Sequence, residues 1–324
     1  MRFKLSPYDS QIIQHPVFQR EVRGLKRWAS SPERLKRHNR RVLLVVHALV
    51  LAGWLVLAVL LSVDLGNPAS WNGLSFNFQQ SSNILVWLIV TASIAAGALL
   101  DMTSMRTTLN SISGEVITGR WELLRLTLLS VGGIVNAKHH IAQLRVWRLA
   151  FVVICLRLAT IMLMFLLVFV LPYLSPGYNY NLESFLFLIE TEPHSAGLVM
   201  LIIVLTLGIY VIEPLWRMKA VTALGMAISS YTLDLPFAAL LAVLGVFGMW
   251  VAQLMVIVAL SMGLGAGFNI FIMQAILDVD VSNFAWLLYF LLSGLVMAVT
   301  IYGFYAILQA WGLRRSLTRL ARIN

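Results

Sequence analysis

Residues 237–260 read FAALLAVLGVFGMWVAQLMVIVAL, a run without one charged side chain. As a helix rising 1.5 Å per residue it is long enough to cross a hydrocarbon core of about 30 Å. Within lipid every backbone polar group must be satisfied inside the segment, so such a run crosses as a helix. Five further stretches have the same character: 42–63, 84–100, 149–171, 196–212 and 284–308. The chain as a whole agrees. Of its 324 residues, 60% are hydrophobic and 12% charged, where soluble domains carry about 25%; its mean hydropathy is +0.84. A water-soluble globule is excluded, and the expected fold is an all-α polytopic membrane protein with six transmembrane helices.

Charge sets the orientation. Of the 24 Lys and Arg, 11 precede the first stretch, 6 lie between the second and third, 2 between the fourth and fifth, and 4 follow the last. Arg157 alone falls inside a stretch. The three other connections carry no basic residue but hold Asp64, Glu183, Glu190, Glu192, Asp278 and Asp280. By the positive-inside rule both termini and the two basic loops are cytoplasmic. Trp71, Tyr173, Tyr178, Tyr180 and Trp286 then fall at the outer interface, and Trp28, Trp147, Trp216 and Trp311 at the inner one. The organisation is a basic tail 1–41, a six-span domain 42–312 and a basic tail 313–324, in the cell membrane, the bacterial plasma membrane being the expected setting. The net charge of +10 reflects this topology and an anionic inner leaflet, not nucleic-acid binding. The polar, basic start is unlike a cleavable signal peptide.

Two segments interrupt a plain six-helix reading. Residues 261–277 (SMGLGAGFNIFIMQAIL) are apolar and glycine-broken, and read as a re-entrant or interfacial element. Glu213-Pro214 is expected to break the fourth helix, with 216–231 continuing along the inner interface or obliquely from the span.

The tail contains an amphipathic helix: Phe18, Val22, Leu25 and Trp28 form an apolar stripe, while Arg20, Glu21, Arg23, Lys26 and Arg27 cover the rest. Ser31-Pro32-Glu33 reads as a second helix start, with serine as cap. In the second cytoplasmic loop, within 101–148, Ile117, Trp121, Leu124 and Leu128 give one face of a short helix and Glu115, Thr118, Glu122 and Arg125 another. Acids near its start suit a docking surface for a soluble partner better than a site for anionic lipid.

This loop carries a recognisable pattern. Gly114, Glu115, Gly119, the run Trp121 to Thr127, Leu129, Ser130, Ile134, Val135, Ala137 and Lys138 together resemble the coupling segment of type-2 ABC exporter permeases. His15-Pro16-Val17-Phe18-Gln19-Arg20-Glu21 is similar to that family's Asn-Pro-Val-x-x-Arg-Glu elbow helix, with His15 in the place of asparagine. Leu128 stands where proline is common. The resemblance implies a permease subunit working as a homodimer or heterodimer in membrane lipid, with Glu115, Gly119, Trp121, Glu122, Arg125 and Thr127 seating in a groove of a separate ABC ATPase, and Phe18, Arg20 and Glu21 on the elbow. No P-loop occurs in this chain, so ATP hydrolysis is expected on that partner. The chain itself is expected to be no enzyme and to hold no cofactor. The alternatives are a secondary transporter or channel, and a membrane scaffold that recruits a cytoplasmic partner.

Single residues read as follows. Arg157 is close enough to the inner surface to snorkel, preferred here to pairing with Glu213 or Asp101. Asp278 and Asp280 read as an exposed outer loop rather than a cation site. His139 and His140 read as interfacial polar residues, and His47 is left without a role. Gly263, Gly265 and Gly267, with Gly245 and Gly248, read as sites of close helix packing. Cys155, the single cysteine, excludes a disulfide framework.

Overall fold

Ser31 opens the first long helix: its Oγ accepts the Arg34 N–H at 3.3 Å and its carbonyl accepts the Leu35 N–H at 3.0 Å. Pro32 follows at the first helical position, where a missing N–H costs nothing, and Glu33 meets the positive end of the helix dipole. The computed structural model describes residues 14–24, 31–62, 71–109, 111–126, 130–165, 193–232, 234–276 and 283–322. Among the described residues all regular structure is helical: α1 (Pro16–Arg23), α2 (Pro32–Ser62), α3 (Trp71–Leu109), α4 (Ser113–Ile117), α5 (Arg120–Arg125), α6 (Val131–Phe165), α7 (Pro193–Tyr231), α8 (Leu235–Ile276) and α9 (Asn283–Arg322).

Over its described residues, each of the six apolar stretches falls in a different long helix. Four helical stretches among the described residues meet the length and composition needed to cross a membrane: Trp87–Ile117, Val131–Met164, Pro236–Leu260 and Leu292–Arg322. Most of one side of α8 faces outward, with Phe247 61%, Leu254 62% and Met255 68% exposed, as expected of a helix whose solvent is lipid.

α7 lies at the centre, packed against α3, α6, α8 and α9. One core cluster gathers Phe18, Leu35, Leu100, Trp121, Leu144 and Met218 among others, and joins α1, the α4–α5 loop and the adjoining ends of the long helices. A second, around Met105, Leu224, Val246, Met249 and Tyr305, joins α3, α7, α8 and α9. α7 approaches its neighbours closely at two glycines. A Cβ on Gly312 of α9 would stand 2.7 Å from the carbonyl carbon and oxygen of Ala223, and one on Gly225 would stand 1.9 Å from Thr108 Oγ1.

Three expectations are corrected by the backbone. Pro214 lies inside α7 without ending it, so Trp216 to Tyr231 continue the same helix. Residues 261–276 continue α8, with no re-entrant turn at Gly263, Gly265 or Gly267; uninterrupted i to i+4 hydrogen bonding outweighs the roughly 1 kcal/mol that each glycine costs a helix. The expected single loop helix is two short ones. Gly119, at φ 69°, separates them in the left-handed region that glycine enters freely. Of the glycines expected to pack closely, Gly245 does, with a Cβ there 3.4 Å from Leu224 Cδ2, whereas a Cβ on Gly248 or Gly263 would meet nothing within 4 Å.

Candidate functional site

The turn at Gly119 decides what the α4–α5 loop shows to its surroundings. It rotates α5 against α4, so that Ile117 is 60% exposed while Trp121, expected on the same face, is 1% exposed in the core. Leu123 and Leu126 stand out at 65% and 83% exposure, and Glu122, also exposed, lies between Trp121 and Leu123 in the chain. Three large apolar side chains and an acid thus stand exposed on the segment 113–126, a knuckle rather than a solvated polar face. Arg125 ends α5; Thr127 and Leu128 lie outside the described residues, as do Leu25 and Trp28 of the tail.

The knuckle rests on a fixed base. Ser229 Oγ on α7 accepts the backbone N–H groups of Ile112 and Ser113, at 3.2 and 3.1 Å. Lys138 on α6, its side chain 4% exposed, donates to Glu21 Oε1 of α1 at 3.1 Å and to Glu115 Oε1 of α4 at 3.2 Å. Arg145 reaches the second oxygen of Glu21 at 3.2 Å. One buried ammonium thus fastens both α1 and α4 to α6. Glu115 is therefore held inside the fold by Lys138, while Glu122 faces outward. Phe18, 2% exposed, packs into the same core, so the apolar stripe of α1 is covered by protein over its described length; Arg20 is exposed. Beside this base lies a cleft of about 830 Å³, lined by Arg20, Glu115, Arg120, Leu123, Lys138 and Arg145 among others. His15 stands against Gly133, where a Cβ would be 3.0 Å from its Nε2. Burial pushes the His15 imidazole below its ordinary range.

A second constellation ties the long helices together. Arg157 of α6, 9% exposed, pairs with Glu213 of α7 at 2.8 Å, donates to the Tyr210 carbonyl, and lies 4.5 Å over the Tyr210 ring. Arg157 thus does not snorkel: a buried acid within reach outweighs a stretch to the interface. Arg217, one turn beyond Glu213, donates from Nε to Asp101 Oδ1 of α3 at 2.9 Å and from a terminal nitrogen to Oδ2, and lies 3.7 Å from Glu213. Trp250 Nε1 of α8 donates to Asp101 Oδ2 at 2.7 Å, and the Tyr305 hydroxyl of α9 donates to Glu213 Oε1. Two acids and two arginines balance in charge and join five helices through α7.

Sequence reasoning named Asp101 and Glu213 as partners for Arg157 but missed Arg217, Trp250 and Tyr305. The signal for Arg217 was its position four residues after Glu213, on one helix face, provided that Pro214 did not break the helix. His139 is buried rather than interfacial: its ring is held by the Lys219 carbonyl and the Thr222 hydroxyl, each at 3.1 Å. His47 Nδ1 bonds the Leu43 carbonyl of its own helix. No group of three His, Cys, Asp or Glu side chains fit to hold a metal occurs among the described residues; Asp278 and Asp280 lie outside them. No family model, curated protein or solved structure matches the chain.

Proposed function

We propose that this chain is the transmembrane permease subunit of an ATP-driven exporter, and that its α4–α5 knuckle is the cytoplasmic seat of a separate ABC ATPase. The observation that carries the reading is the exposure of Ile117, Leu123 and Leu126 together with Glu122, on a loop whose backbone and base are tied into α6 and α7. Exposed apolar side chains with a charge, on a rigid support, are what a docking contact needs. The tie to α7 adds the mechanical half of the argument. Ser229 and Lys138 link the knuckle to the helices that meet at Arg157, Glu213 and Arg217, so a push on the loop is delivered to the bundle. Nucleotide-driven closure of the ATPases would then bias the spans between two states. In this reading six spans place both termini in the cytoplasm, α1 serves as the elbow, and a second permease copy completes the pathway.

Buried Asp101 and Glu213 favour a second reading, an ion-coupled secondary transporter. Each is engaged by an arginine, which leaves neither as a free ion ligand, so the exporter reading is preferred.

The test is purification of the chain from its native membrane in mild detergent, with Glu122→Lys alongside, followed by identification of retained chains and assay of ATP hydrolysis. Wild type is expected to retain a P-loop ATPase that turns over ATP, and the variant to lose it. A preparation without a nucleotide-binding chain overturns the exporter reading; retention by both forms removes Glu122 from the contact.

A further inference from the structure

The acids at the start of the α4–α5 loop, read from sequence, argued against an anionic ligand there. Their placement reverses that argument. Glu21 and Glu115 both spend their charge on Lys138, and Glu21 also meets Arg145. The cleft of about 830 Å³ between α1, the loop and α6 is lined by four cations, Arg20, Arg120, Lys138 and Arg145, and by these two acids. Two positive charges remain in excess. Arg20 and Arg120 are exposed and make no ion pair with an acid among the described residues. Arg145 uses one terminal nitrogen on Glu21, and a guanidinium has five N–H donors, so most of its donors remain available.

We propose that this cleft binds a phosphate ester, with Arg20, Arg120 and Arg145 as the groups that hold the phosphate. Arginine suits that task because its planar fork meets two phosphate oxygens at once. An excess of two positive charges matches the −1.5 to −2 or so of a phosphomonoester. Val17 and Leu124 also line the cleft, and Leu123 forms an exposed apolar lip, so the site joins apolar wall to cationic centre, as the head and first carbons of an amphiphile require. A lipid headgroup and a soluble phosphate ester share this chemistry. The inference needs no ATPase and stands apart from the exporter reading.

The experiment uses the full chain in a neutral detergent and titrates three probes: a short-chain phosphatidic acid, the matching phosphatidylcholine, and glycerol phosphate. The readout is the dissociation constant by calorimetry. Phosphatidic acid is expected to bind, with affinity about tenfold weaker for Arg120→Gln and weaker again with Arg20→Gln added, and to lose strength with salt. Arg322→Gln, which removes an exposed charge at the end of α9, is expected to leave it unchanged. Equal binding of glycerol phosphate assigns the site to soluble esters; binding of phosphatidic acid alone assigns it to lipid. No binding of either, equal binding by the Arg120→Gln and double variants, or an equal loss in Arg322→Gln overturns the proposal. Should the double variant fail to fold, Arg120→Gln decides alone.

Discussion

Arg157 supplies the hydrogen bond that Pro214 withholds. Proline has no N–H, so the carbonyl four residues earlier in a helix loses its partner. In α7 that carbonyl belongs to Tyr210, and it accepts from the guanidinium of Arg157, which crosses from α6. The same guanidinium neutralises Glu213, the residue before the proline. A site that would break a helix is here repaired by a neighbouring helix, as buried backbone polar groups require.

Replacing Arg157 by methionine keeps an unbranched apolar stem and removes both interactions. The expected loss is about 3–5 kcal/mol, the cost of breaking one side of a buried pair. Pro214→Ala in that background restores the missing N–H and should recover about 1–3 kcal/mol, the carbonyl's share. A double-mutant cycle on unfolding in detergent measures the coupling. Additive effects would show that Arg157 and Pro214 are independent.

Gly312 and Gly248 make a matched pair. A Cβ on Gly312 meets the Ala223 backbone at 2.7 Å, and backbone cannot turn aside as a side chain does. Gly312→Ala is therefore expected to cost about 1–3 kcal/mol through overpacking of α9 on α7. Gly248 has open space, so Gly248→Ala is expected to be neutral or mildly stabilising through helix propensity. Thermal unfolding of both variants checks the contrast, and equal behaviour would mean that the α7–α9 approach is looser than described.

Apolar length and the Ser31 cap were legible in the sequence because they depend on local chemistry alone. α2 begins at Ser31-Pro32-Glu33, and each apolar stretch lies over its described residues in one long helix, but several helices run well past their stretch, α6 starting at Val131 and α9 ending at Arg322. What was not legible depends on neighbours. Pro214 reads as a break until Arg157 is beside it. Glu115 and Glu122 share a face on an ideal helix, and only the left-handed turn at Gly119 sends one inward to Lys138 and leaves the other outside. Likewise, which glycines permit close approach is set by what stands opposite them: Gly225 and Gly312 face α3 and α7, whereas the glycine-rich 263–267 segment offered the stronger pattern.

Burial lowers the imidazoles of His15 and His38, the latter also through Arg148 and Arg41. For a histidine held below its ordinary value near 6.5 the unfolded chain takes up the proton first. Stability is therefore complete above that value and falls as the pH drops through it. Unfolding temperature is expected to decline from about pH 7.5 to about pH 5.5, and His15→Asn to make the decline shallower while His38 retains its share. An unchanged slope in the variant would remove His15 from the effect.

Gly119 concentrates the shape of the knuckle in one residue. At φ 69° it occupies a region that costs an ordinary residue about 1–2 kcal/mol. A Cβ there meets nothing within 4 Å, and the same holds for Gly114, so the two differ in backbone conformation and not in space. Gly119→Ala should destabilise the loop by about that amount, straightening α4 into α5 and returning Ile117 toward the face of Trp121; Gly114→Ala should be near neutral. Hydrogen exchange across 112–126 reads the local change, and, on the proposed docking of an ATPase, retention of that partner on purification reads its consequence for docking. Faster exchange with docking lost is the expected result for Gly119→Ala. Faster exchange with docking intact would place the contact elsewhere on the chain.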